Sequence, residues 1–77
     1  MVHLFIIVFL MEVYKVLEDI FSNRKGIQYA KQNDHVRVIS KHGHVFCVEI
    51  VIKRNNKYIT TDKTFPINEN KLQLVEY

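Results

Sequence analysis

His42, Gly43 and His44 stand between two strand-like runs in the stretch VRVISKHGHVF, Val36 to Phe46. On an extended backbone His42 and His44 would point to one face, the arrangement of a His-x-His metal pair. Cys47 would point to the other face, and Asp34 and His35 would lie across a hairpin. A closed metal site needs about four ligands, and only two of these groups align. Two readings without a metal compete with it. Gly43 could simply turn the chain, or the imidazoles could form a recognition rim for a phosphate or an aromatic base. Cys47 with His44 is the one nucleophile–base pair that can be drawn, but a thiol inside an apolar strand is usually inert. Ser22, Ser40, Thr60, Thr61 and Thr64 have no base and orienting group at a recognisable spacing. Gly26 and Gly43 stand alone, so no phosphate loop is encoded. The expectation is a protein that is not an enzyme and uses neither metal nor cofactor.

Cations offer a second chemistry. Lys41, His42 and His44 gather at one turn, and Lys53, Arg54 and Lys57 at another, with Arg37 between them. Tyr29, Phe46 and Tyr58 lie close by in sequence, and a cationic surface with stacking rings suits single-stranded nucleic acid. The plainer alternative is that lysines at turns and sheet edges keep strands soluble. Net charge is +3, concentrated on residues 22–58, which carry eight Lys or Arg against Asp34 and Glu49. Both flanks are slightly acidic. The surface expected to carry recognition comprises Arg37, Lys41, His42 and His44, together with Lys53, Arg54, Lys57 and Tyr58.

The elements that must position these groups follow from periodicity. The chain has 77 residues, 48% hydrophobic and 25% charged, which fits one globular domain over 1–77. Val2–Leu10 is apolar on both faces of any strand, as in a buried central strand or a self-association surface; extension of the next helix is the alternative. This run lacks the basic start and small-residue cleavage site of a signal peptide and is too short to cross a bilayer. With one cysteine and two glycines, the chain reads as a cytoplasmic protein without a disulfide framework. Val13, Val16, Leu17 and Ile20 recur at helical spacing, so an amphipathic helix is expected over 12–22, closed by SNRKG and Gly26. From residue 27 the pattern is β. HVRVIS and VFCVEIVIK alternate, RNNK is a hairpin turn, YITTDKTF precedes Pro66, INEN turns again, and KLQLVEY closes.

Over about residues 31–77 these segments resemble short phage-encoded proteins with an SH3-like barrel, and the first thirty residues have no counterpart in the resemblance. The matching residues are Asp34 with Val36–Ser40, then His42, Gly43, His44 and Phe46. Glu49, Ile50 and Val51 follow, and finally Leu72, Leu74 and Val75. Asn33 replaces a usual glycine before Asp34, and Val48 stands where a second glycine is common. The resemblance implies a small SH3-like antiparallel barrel or curled sheet over about 27–77; with the N-terminal strand and the helix read from periodicity before it, the expected fold class is α+β. It also implies a non-enzymatic role in binding, and inhibiting, a host protein. The alternatives are a nucleic-acid-binding module that uses the basic loops, or a protein that sequesters a nucleotide-like ligand at a subunit interface. A homodimer through Val2–Leu10 belongs to the same expectation, and insertion into a membrane does not.

Overall fold

The computed structural model describes residues 12–24 and 26–76, the side chain of Glu76 excepted. Among these residues seven strands run in chain order: β1 (Val13–Val16), β2 (Ile20–Phe21), β3 (Gln28–Ala30), β4 (His35–His42), β5 (Val45–Arg54), β6 (Lys57–Asn68) and β7 (Leu72–Glu76). One 3-10 turn, Glu69–Lys71, precedes β7. Five strands form an antiparallel sheet in the order β6-β5-β4-β1-β7, and β2 and β3 form a separate hairpin. This sheet-rich globule is consistent with a small barrel-like fold. The expected strand over Val2–Leu10, and with it the dimer surface, lies outside the described residues.

The expected α+β class is wrong, because the segment assigned to a helix over 12–22 folds as β1, a connecting loop and β2. Its i, i+3 spacing has a different cause. Residues three apart on a strand face opposite ways, and β1 is covered on both sides. Val16 enters the main core, whereas Val13 joins a second cluster with Val51 and Tyr58. Both valines are buried, so the pattern imitates one helical stripe. β1 also pairs with β4 on one edge and β7 on the other, which favours its β-branched and aromatic residues in extended form. Leu17 stays exposed. Glu18 and Asp19 tie down the loop after β1. Glu18 accepts a hydrogen bond from Lys71 Nζ at 2.5 Å, and Asp19 Oδ1 accepts one from the Gln32 amide at 2.9 Å.

The main core holds Val16, Ala30, Val36, Phe46, Val48, Phe65 and Ile67. Ile20, Tyr29 and Ala30 bring the β2–β3 hairpin against it. Tyr29 stacks on Phe65 with ring centroids 5.1 Å apart. Asparagines supply the turns. Asn33 has φ +78 in the turn that the Asp34 amide closes onto the Lys31 carbonyl at 3.0 Å, so it takes up the left-handed backbone a glycine would adopt. Pro66 sits on β6, an edge strand of the five, where a missing N–H is tolerated.

Candidate functional site

β5 carries a turn at each end, and the two turns are built differently. At its start, His42 pairs with Val45 across Gly43 and His44. Gly43 has φ +68, matching two-residue hairpins that place glycine first. Every cationic or imidazole group here meets its own chain. His42 Nε2 lies 3.0 Å from the Ser40 hydroxyl. His44 Nδ1 lies 2.5 Å from Glu69 Oε2, and the Glu69 amide donates to the His44 carbonyl at 2.8 Å. Lys41 sits 5.1 Å from the centre of the Phe46 ring and 3.9 Å from Glu12 Oε1. Glu12 also accepts from the Tyr14 hydroxyl at 3.1 Å. The Tyr14 phenol is pushed above its ordinary value, first by burial and then by that carboxylate.

At its other end, Arg54 pairs with Lys57 across Asn55 and Asn56. Both asparagines have positive φ, +53 and +65, as a type I′ turn demands. Lys53 lies 5.7 Å from the centre of the Tyr58 ring, its cross-strand partner. Arg54 and Lys57 form no ion pair with any described residue. No Asp or Glu occurs from Ile50 to Thr61. Ile52 and Ile59 are cross-strand partners just inside these cations, each 45% exposed. Ile52 and Ile59 therefore share one face of the hairpin tip with Arg54 and Lys57, while Lys53 points to the opposite face with Tyr58.

The residues expected to share one surface do not share it. Val45 and Arg54 are nine steps apart on one strand, so at about 3.3 Å per residue the two turns stand roughly 30 Å apart. Lys41, His42 and His44 belong to one end, and Lys53, Arg54 and Lys57 to the other. Arg37 projects between them but is committed to Glu49. Its Nε and a terminal guanidinium nitrogen lie 2.8 and 2.7 Å from Glu49 Oε1. Tyr58 is only 6% exposed and packs with Val13 and Val51. Phe46 is buried too, and Tyr29 lies half-buried on Phe65. The three rings expected to stack on a base are core residues.

Sequence reasoning missed the Ile52–Ile59 pair. Its alternation matched that of buried positions, and only the closeness of the Asn-Asn turn marks those two as lying beyond the core. It also missed an irregularity in β6. Thr61, Asp62 and Lys63 stand opposite Ile50 alone, since Glu49 pairs with Thr64 and Val51 with Thr60. Among the described residues no group of three or more His, Cys, Asp or Glu is placed to hold a metal ion. No helix among them is long and apolar enough to cross a membrane. Comparison with family models, curated proteins and solved structures finds no match to this chain.

Proposed function

We propose that this chain is a small non-enzymatic binding protein that docks on an acidic surface of a partner protein through the tip of the β5–β6 hairpin. The observation that carries this reading is the exposed Ile52–Ile59 pair, bordered on its face by Arg54 and Lys57, in a segment, Ile50 to Thr61, without Asp or Glu. Like charges directly opposite on a hairpin are destabilising, and Arg54 faces Lys57. A pair that weakens its own turn is better explained by something outside the molecule. Aliphatic side chains at the centre and cations at the rim match the anatomy of a protein interface. Nucleic acid fits less well, because Phe46 and Tyr58 are buried where single strands need exposed rings. The nucleotide-like ligand loses support as well, since His42 and His44 are engaged by Ser40 and Glu69. The likeness to short phage proteins suggests a host protein as the partner, inhibited on binding, and the lone cysteine suits a cytoplasmic setting.

Affinity capture from host lysate tests this. The wild-type chain should retain one protein near stoichiometrically, and the Arg54→Glu, Lys57→Glu double variant should retain at least tenfold less. Circular dichroism should show the variant folded. Empty capture, or equal capture by both chains, would refute the reading. Capture of nucleic acid with a steep salt dependence would replace it.

A further inference from the structure

A second feature lies away from both turns, where β3 and the turn after it face the irregular part of β6. Gln28, Tyr29, Ala30, Lys31, Asp34 and Lys63 line an open depression of about 300 Å³. We propose that this depression binds a phosphoryl group, and this goes beyond the docking role of the hairpin tip.

Charge is the first argument. Two lysines from different elements line the depression, Lys31 after β3 and Lys63 on β6, and neither forms an ion pair with a described residue. The single carboxylate, Asp34, is already engaged, its Oδ2 accepting the Lys31 amide at 2.8 Å. The Tyr29 ring is fixed by its stacking on Phe65. The Gln28 carboxamide is held by donation to the Ala30 carbonyl at 3.1 Å. Two cations against one engaged anion, on a wall with little freedom, suit a compact dianion.

Construction is the second argument. Lys63 sits at the end of the three-residue bulge in β6, and that bulge is held by hydrogen bonds rather than left loose. Asp62 takes φ +69, and its amide donates to Glu49 Oε2 at 2.6 Å. Thr61 Oγ1 donates to the Ile50 carbonyl at 2.7 Å and accepts the Lys63 amide at 3.2 Å. Glu49 is 3% exposed, and its other oxygen takes Arg37. Buried ion pairs are weak sources of stability, and bulges commonly re-aim a side chain beside a functional site. Here the buried pair fixes the bulge that carries Lys63 to the wall of the depression.

Titration followed by amide chemical shifts decides the matter, with inorganic phosphate and free phosphoserine as separate probes. Phosphate should move residues 28–34 and 63 saturably, and Lys63→Ala should weaken binding at least fivefold. Lys63 is exposed, so that variant should keep its fold, and Lys57→Glu at the hairpin tip should bind phosphate like wild type. Tighter binding of phosphoserine would assign the site to a phosphorylated protein side chain, and equal binding to free phosphate. Shifts matched by sodium chloride at the same ionic strength, or unchanged by Lys63→Ala, would overturn the proposal.

Discussion

The two ends of β5 are each a tight two-residue turn flanked by cations, yet one is closed on the molecule and the other is open. At the His42–His44 end, every charged or imidazole group meets a carboxylate, a hydroxyl or a ring of the same chain. At the Arg54–Lys57 end, like charges face each other and two isoleucines stay in water. The closed end had the more reactive residue types, while the open end carries the facing like charges beside an exposed isoleucine pair. Residue types alone therefore do not separate the two turns. What separates them is the neighbouring structure: the Glu69–Lys71 turn comes back beside His44, and nothing comparable reaches Arg54 among the described residues.

Between the two ends of β5 sits the Arg37–Glu49 pair, which makes it the place to break the contrast. Arg37→Ala strands a carboxylate that is almost fully buried. Removing one partner of a buried pair costs about 3–5 kcal/mol, and the partial exposure of Arg37 lowers the expectation to about 2–4 kcal/mol. Urea denaturation should show this loss, and the phosphate response should weaken with it as the Thr61–Lys63 bulge loosens. Replacing both partners by leucine should recover much of the stability but not the phosphate response. A double variant that still binds phosphate like wild type would separate the bulge from the ion pair.

The sequence made the turns and the β5 alternation legible because both are local. Asn55 and Asn56 announce positive φ, and Phe46, Val48 and Ile50 follow a period of two into the core. Val13 and Val16 were misleading for a physical reason: two faces of a covered strand reproduce the spacing of one helix face. Arg37 looked like a surface cation because its partner, Glu49, lies on another strand, and only strand register reveals the pair. Tyr58 looked like a stacking ring beside a basic turn, but β6 directs it into the cluster with Val13 and Val51. Long-range pairing decided each of these, and periodicity does not contain it.

The two turns should also respond oppositely to changes at their positive-φ residues. Gly43→Ala places a Cβ on a left-handed backbone and should destabilise by about 1–2 kcal/mol. No atom lies within 4 Å of that added carbon, so backbone strain alone is being measured. Asn56→Gly removes strain of the same kind and should hold stability level or raise it by a few tenths of a kcal/mol, about what relaxed turn geometry provides. Thermal unfolding of both variants would check the signs. A stabilising Gly43→Ala would mean that the closed turn does not need its positive φ.

The smallest effect is the sharpest test of which end does the work. His44→Ala removes the contact with Glu69 but leaves the hydrogen bond from the Glu69 amide to the residue 44 carbonyl in place. His44 is strongly exposed, and exposed ion pairs contribute about 0.2–1 kcal/mol at most. Its loss should therefore shift the unfolding midpoint only slightly. Partner capture should not change at all, because His44 stands at the opposite end of β5 from the proposed docking tip. If His44→Ala abolished capture while the chain stayed folded, the closed end would be the recognition surface. The exposed isoleucines and unpaired cations at the open end would then need another explanation.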